Sequence, residues 1–209
     1  KGLVAYYPFN GNAKDESGNG NDGVIEGVEF DQGIGEDGKA AKFNGAGSRI
    51  KFATKALPSG NDPVTMSLFV KITGALTNST EEFHIGRGDP PQSFFGFFGN
   101  HLPGMPQDKI HYRFTNWATH TDFKTVKRDE WNSLVVTHDG TTLITYVNGE
   151  KVESKPYTLQ TAGDTLFVGQ RGDDPYRKTV GMVDQLRIYN RALSAAEVKA
   201  LSDFEKPKK

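Results

Sequence analysis

The chain has 209 residues, with 25 basic and 26 acidic side chains, a formal net charge of -1 and 35% hydrophobic residues. The length suits one large domain with a buried core, and the even charge balance excludes the basic footprint expected of a nucleic-acid-binding protein. There is no cysteine, which excludes thiol catalysis and disulfides, and no apolar run reaches the roughly 20 residues that a membrane span needs.

Short strands are predicted along most of the chain, because β-branched and aromatic residues alternate with polar ones between turn residues. The predicted strands span 3–7, 41–43, 49–52, 65–71, 82–85, 94–98, 109–114, 131–137, 142–147, 151–155, 165–168 and 182–189. The turn pairs Asp139-Gly140 and Asn148-Gly149 predict a hairpin meander through the three strands that begin near 131. The pattern predicts an all-β protein built as an antiparallel sandwich.

One short helix is indicated near the C-terminus, over 194–201. Ser194 and Glu197 have the spacing of a capping box, and Leu193 is placed to pack against Val198 as a hydrophobic staple. We therefore expect a single domain over 1–204, followed by a polar tail or linker at 205–209.

A glycine-rich segment near the N-terminus carries oxygen-bearing side chains at alternate positions: Asp15, Ser17, Asn19 and Asn21. Such a segment can supply part of the six to eight oxygen ligands that calcium takes, and it can equally be a plain turn of Asx and Gly residues. Asp184 favours the calcium interpretation, because alternation in the last strand places it on the face of Leu186 and Ile188. A carboxylate on an inward face needs a cation or a hydrogen-bonding partner.

The sequence resembles the bacterial laminin-G-like, concanavalin A-like lectin/glucanase family of jelly-roll domains. The resemblance lies in 2–13, 15–23, 38–45, 131–140, 146–149 and 181–194, in the family's order and over nearly the whole chain. It implies an antiparallel two-sheet jelly-roll β-sandwich with one short C-terminal helix. It also implies a structural calcium ion (Ca2+) held by Asp15, Ser17, Asn21 and Asp184.

The resemblance further implies a non-catalytic, lectin-like module that binds a polysaccharide or other glycan. Such a module would be extracellular or on the cell surface, within a larger multidomain chain, and without membrane insertion. A protein-binding adhesive domain with a surface protein as its partner is the first alternative.

Candidate ligand-binding residues come from polar strand faces and from long polar segments. His84 opposes Phe83 and Ile85 in its strand, and His111 and Arg113 oppose the apolar residues of theirs. Two Arg-Gly-Asp loops add further charged groups, and aromatic residues in polar segments suit stacking on sugars. The complete candidate set is His84, Arg87, Asp89, His111, Arg113, Trp117, Arg171, Asp173 and Tyr176.

A polysaccharide lyase or glycoside hydrolase is the second alternative. No strand carries the Glu-x-Asp-x-x-Glu pattern that would present paired carboxylates, and the acidic residues lie mainly in loops. His111 and Tyr112 resemble part of a lyase set, but alternation places them on opposite faces. We therefore expect a protein that is not an enzyme.

Overall fold

The computed structural model describes 1–34, 38–53, 57–73, 83–87, 95–100, 106, 108–114, 121–162, 165–169 and 179–204. For 83–87, 95, 98–100, 109, 111–114 and 121–125 it describes the backbone and its strand pairing only.

These parts of the chain form fifteen strands and one α-helix. In chain order they are β1 (Leu3–Tyr7), β2 (Gly23–Glu26), β3 (Glu29–Gln32), β4 (Lys39–Asn44), β5 (Arg49–Ala53), β6 (Val64–Ile72), β7 (Phe83–Arg87), β8 (Phe95–Asn100), β9 (Lys109–Phe114), β10 (Thr121–Lys127), β11 (Asn132–His138), β12 (Thr142–Val147), β13 (Glu150–Pro156), β14 (Thr165–Gly169), β15 (Val180–Tyr189) and α1 (Ala195–Phe204).

The strands form two antiparallel sheets. One has eight strands. Seven of them lie in the order β13-β12-β11-β6-β15-β4-β3, and the eighth, β1, pairs with β15. The other has seven, in the order β10-β9-β8-β7-β14-β5-β2. This architecture confirms the predicted all-β, two-sheet sandwich with one short C-terminal helix, and it confirms the meander β11-β12-β13.

The hydrophobic core lies between the two sheets. In β5, Ile50 and Phe52 are buried while Arg49 and Lys51 remain partly exposed, which is the period of two expected for a strand covered on one face. The centroid of the Phe52 ring lies 4.2 Å from the centroid of the Tyr7 ring, which belongs to the other sheet. Truncating a buried phenylalanine of this kind to alanine costs about 3–5 kcal/mol.

Three strands were not indicated by the sequence: β2, β3 and β10. All three lie at the ends of sheets, and β2 and β3 have only four residues each. End strands bury little apolar surface, so their residues carry a weak hydrophobic pattern. Val24 in β2 is 62% exposed although its side chain is apolar.

Helix α1 begins at the predicted capping box. The Ser194 amide donates to Glu197 Oε2 at 2.8 Å, and the Glu197 amide donates to Ser194 Oγ at 3.3 Å. Ser194 Oγ also donates to Glu197 Oε2 at 3.0 Å. Hydrogen bonds from the Arg191 guanidinium and from the amide and hydroxyl of Ser194 lower the pKa of Glu197 to about 2.

The helix covers part of the outer face of the eight-stranded sheet. Leu193 and Val198, the predicted staple pair, share a small buried cluster with Val135 of β11 and Tyr146 of β12. Ser202, near the end of the helix, hydrogen-bonds Ser133 of the sheet at 3.0 Å. The part of this face formed by β11 and β12 is therefore occupied by the protein's own C-terminal segment.

Candidate functional site

The Asp15 carboxylate organises the glycine-rich segment after β1. Its Oδ1 accepts the amides of Tyr6 at 3.0 Å and Ser17 at 2.9 Å. Its Oδ2 accepts the Asn21 amide at 3.0 Å and Asn21 Nδ2 at 3.1 Å. Partial burial alone would raise the pKa of Asp15, but the hydrogen bonds from Ser17, Asn21 and Tyr6 lower it below its ordinary value.

The neighbouring polar side chains bind the backbone of β1. Ser17 Oγ donates to the Val4 carbonyl at 3.3 Å, and Asn21 Nδ2 donates to the same carbonyl at 2.9 Å. Ser17 Oγ in turn accepts the Asn19 amide at 3.3 Å and Asn19 Nδ2 at 2.9 Å. The alternating oxygen-bearing residues of the sequence thus form one hydrogen-bonded unit with the first strand.

Asp184 lies on the opposite sheet face from the one predicted. In β15, Asp184 is paired with Phe69 and Arg187 with Ser67, so the four residues 184–187 of β15 lie opposite the three residues 67–69 of β6. This bulge at Gln185, whose φ is +53°, shifts the alternation, and Val183 joins Leu186 in the core. The prediction that Asp184 shares the inward face of Leu186 was therefore wrong.

Asp184 is nevertheless completely buried, under the segment after β3. Its Oδ2 accepts the Ile34 amide at 2.9 Å and its Oδ1 accepts the Gln185 amide at 2.8 Å. A Cβ atom at Gly33 would lie 2.7 Å from Asp184 Oδ2 and 2.5 Å from the Lys39 carbonyl carbon, so only glycine allows this close cover.

The four predicted calcium ligands do not fit a shared cation in this arrangement. The acceptor positions of Asp15 are filled by four N–H groups, and those of Ser17 Oγ by two. Asp184 binds a different segment. No group of three or more His, Asp or Glu side chains placed to hold a metal occurs among the described residues. Calcium binding itself is not tested by these observations and stays a prediction.

The outer face of the seven-stranded sheet gathers three of the predicted ligand residues. His84 is paired with Phe98 and Phe98 with Arg113, while Asn100 is paired with His111. Ile85 and Phe97 are paired with each other, and Phe97 is a core residue, so the alternate positions 84, 98, 111 and 113 lie on the other face. His84, His111 and Arg113 therefore share one face of the sheet.

Of the remaining predicted ligand residues, the structure describes only Arg87, which is not on this face. Arg87 is paired with Leu166, a core residue, and so takes an inward register position at the end of β7. Asp89, Trp117, Arg171, Asp173 and Tyr176 lie outside the described residues.

A row of residues across the same outer face was not identified from the sequence. Lys51 is paired with Phe167, Phe167 with Gly86, and Gly86 with Gly96. We call these four positions the Phe167 row. Phe167 is partly exposed, and the two glycines beyond it contribute no side chain. The signal was hidden because it depends on register between strands that are far apart in sequence.

A charged cluster borders the Phe167 row. Glu26 of β2 accepts from Arg49 Nε at 2.6 Å and from Lys51 Nζ at 2.5 Å. Lys51 and Arg49 lower the pKa of Glu26, so its carboxyl stays ionised near neutral pH and is unsuited to act as a general acid. The three side chains offer two donor groups and one acceptor group at the surface, and together they carry one net positive charge.

No helix within the described ranges is long and apolar enough to cross a membrane.

Comparison with known proteins gives a family and a fold. The sequence model of a family described as the concanavalin A-like lectin/glucanases superfamily matches residues 44–199, about three quarters of the chain. No curated protein matches the sequence.

Among solved structures, one similar protein is domain 4 of AbnA, a GH43 extracellular arabinanase from Geobacillus stearothermophilus, in complex with arabinotriose. It is 26% identical, has a TM-score of 0.68, and is matched over 96% of this chain and 98% of that chain.

Toxin domains share the fold at lower identity. The binding domain of Paraclostridial Mosquitocidal Protein 1 is 19% identical with a TM-score of 0.72, matched over 97% of this chain and 52% of that chain. The botulinum neurotoxin serotype D binding domain is 15% identical with a TM-score of 0.70, matched over 98% of this chain and 52% of that chain. The chain thus spans about half of each toxin domain, and these likenesses show the fold alone.

Proposed function

Because the chain belongs to the laminin G-like family of the concanavalin A-like lectin/glucanases superfamily, we propose that it is a non-catalytic module that binds a glycan. The observation that carries the proposal is the outer face of the seven-stranded sheet, where a partly exposed aromatic ring lies beside a compact group of hydrogen-bonding side chains. The similarity to an arabinanase domain that is complexed with arabinotriose supports the same ligand class.

The Phe167 row suits a sugar ring for steric and chemical reasons. The CH face of a pyranose or furanose stacks on an aromatic ring, and the glycines at 86 and 96 leave the neighbouring positions of the row without side chains. Arg49 and Lys51 can donate to sugar hydroxyls, and Glu26 can accept from them.

The strand pairing places further polar residues on the same face. His84, Arg113 and His111 occupy register positions on it, and Asp122 is paired with Arg113. We propose that these residues extend the binding surface from the Phe167 row towards the β9 side of the sheet. Arabinose-containing polysaccharides are the first ligands to test, and the module is proposed to act outside the cell, attached to a larger chain.

The proposal is tested by affinity electrophoresis in native gels that contain arabinan, arabinoxylan, xylan, β-glucan or no polysaccharide. We expect slower migration of this protein, relative to bovine serum albumin, in at least one polysaccharide gel. Unchanged migration in every gel would overturn the glycan-binding proposal. Release of reducing sugars or of unsaturated products from the polysaccharide that retards the protein would instead show an enzyme.

A protein ligand is the second candidate, and one observation favours it. Val24 is 62% exposed and its neighbour Ile25 is 37% exposed, on a strand at the end of the sheet. An apolar sheet edge can take an added strand from a partner. Val24 is paired with Lys51 of the Phe167 row, so a change at Val24 would affect both candidates. Substituting Phe167 with alanine separates them, because it removes the ring proposed for the glycan while leaving the edge of β2 in place.

A further inference from the structure

Strand β1 is paired on one edge only among the described residues. Its partner is β15, which it meets through Leu3, Ala5, Tyr6 and Tyr7. An unpaired strand edge presents N–H and C=O groups that can pair with another chain, so folded proteins usually cover such edges. The backbone groups on the second edge of β1 therefore need partners.

The segment 15–21 supplies those partners. The Tyr6 amide donates to Asp15 Oδ1 at 3.0 Å, and the Tyr6 carbonyl accepts the Glu16 amide at 2.8 Å. The Val4 carbonyl accepts from Asn21 Nδ2 at 2.9 Å and from Ser17 Oγ at 3.3 Å. A single backbone bond and several side-chain bonds thus replace the ladder that a neighbouring strand would make.

The segment is itself held by Asp15 and by contacts at its far end. Four N–H groups converge on the Asp15 carboxylate, from β1 and from both ends of the segment. Asp22 Oδ1 accepts the Asp15 amide at 2.8 Å, and the buried Tyr7 hydroxyl donates to the Asn21 carbonyl at 2.7 Å. These bonds close the segment without any ligand position left on Asp15 for a cation.

We propose that the Asp15 carboxylate, and no bound calcium ion, fixes 15–21 along β1, and that this segment guards the edge of β1 against pairing with a second copy of the chain. The oxygen-bearing residues that resemble metal ligands in the sequence act as hydrogen-bond partners of the strand. A carboxylate that accepts several N–H bonds is stabilised in its charged form and can take the organising position that a cation has in other loops.

The first test is thermal unfolding of the wild type and of Asp15→Asn, each with excess calcium and with a chelator. A ligand that binds only the native state must raise its apparent stability. We expect the wild type to melt at the same temperature in both conditions, and Asp15→Asn to melt about 5–10 °C lower in both. Asp31→Asn is the matched control, because Asp31 is exposed and bonded to Lys42, and we expect it to melt like the wild type.

A calcium-dependent rise in the wild type that disappears in Asp15→Asn would overturn the proposal, as would an unchanged melting temperature in Asp15→Asn. If Asp15→Asn does not fold, Asn21→Ala serves instead, since it removes the bonds from Asn21 Nδ2 to the Val4 carbonyl and to Asp15 Oδ2 while keeping the carboxylate. Light scattering at high protein concentration tests the guarding role. We expect dimers or larger species in Asp15→Asn or Asn21→Ala and monomers in Asp31→Asn; folded variants that stay monomeric would refute that role.

Discussion

Substituting Asp184 with asparagine tests the buried carboxylate on the outer face of the eight-stranded sheet. Asp184 accepts the Ile34 amide with one oxygen and the Gln185 amide with the other, and it is fully buried. Asparagine keeps the size of the side chain but turns one acceptor into an NH2 donor, which then faces a backbone N–H group.

The expected loss follows from these contacts. One of the two buried amides, that of Ile34 or that of Gln185, loses its acceptor, which costs about 1–3 kcal/mol. The other amide keeps a bond, but to a neutral oxygen, and this bond is weaker than one to a carboxylate. We expect Asp184→Asn to lower the free energy of unfolding by about 2–4 kcal/mol in urea titrations, with an unchanged m-value. The loss is expected to be the same with calcium and with a chelator.

Asp31→Asn is the control for removing one negative charge, because the Asp31–Lys42 pair is exposed and such pairs contribute little. If Asp184→Asn changed the free energy of unfolding by no more than this control, the hydrogen bonding assigned to Asp184 would be refuted. A loss seen only in the presence of calcium would show that Asp184 is a metal ligand.

Three further predictions concern single residues. Asn148 has a φ of +52°, which glycine adopts easily, but its Oδ1 accepts the Ser133 amide at 2.9 Å. Because Asn148→Gly loses this bond, it should lower the free energy of unfolding in urea titrations by about 1 kcal/mol. An increase would contradict this. Bonds from Thr142 and then Thr141 lower the pKa of Asp139 to about 2, so its contribution to stability is complete above the ordinary pKa of about 4 and is lost as the pH falls through about 2. An NMR titration that gave Asp139 an ordinary pKa would exclude that contribution. Phe167→Ala should weaken binding to a retarding polysaccharide about tenfold or more by affinity electrophoresis, whereas Phe167→Tyr should bind normally. Phe204→Ala, which removes a ring that is 87% exposed on α1, is the control, and equal binding by Phe167→Ala and Phe204→Ala would remove Phe167 from the site.

The parts of the fold that could be predicted were those with local signals. The capping box of Ser194 and Glu197 formed as expected because its geometry depends on four consecutive residues. The meander β11-β12-β13 was predictable because Asp139-Gly140 and Asn148-Gly149 specify tight turns. Strands β2 and β3 were missed because strands at the end of a sheet carry little hydrophobic alternation.

The position of Asp184 could not be predicted from alternation. The bulge beside it places Gln185 at positive φ, where glycine or asparagine would have been a visible signal and glutamine was not. The role of Asp15 was equally hidden, because oxygen-bearing side chains at alternate positions suit both a cation and a strand edge. The role proposed for Asp15 rests on the directions of the N–H groups, which the sequence does not give.

The candidate site was predicted in part. Alternation within β7 and β9 placed His84, His111 and Arg113 opposite apolar residues, and the strand pairing puts all three on one outer face. Phe167 was not predicted as a ligand-binding residue because it lies in a strand of ordinary hydrophobic composition. Its neighbours Gly86 and Lys51 reach it only through cross-strand register, which a single sequence does not reveal.

Mapping the binding surface by NMR would show whether a glycan binds the outer face of the seven-stranded sheet. Backbone amide shifts of the labelled protein would be followed while an oligosaccharide of the retarding polysaccharide is added. We expect the shifts to concentrate in β5, β14 and β7–β9, around Phe167 and Lys51. Saturable shifts confined to α1 and the eight-stranded sheet, or no shifts at all, would contradict a glycan site on the outer face of the seven-stranded sheet.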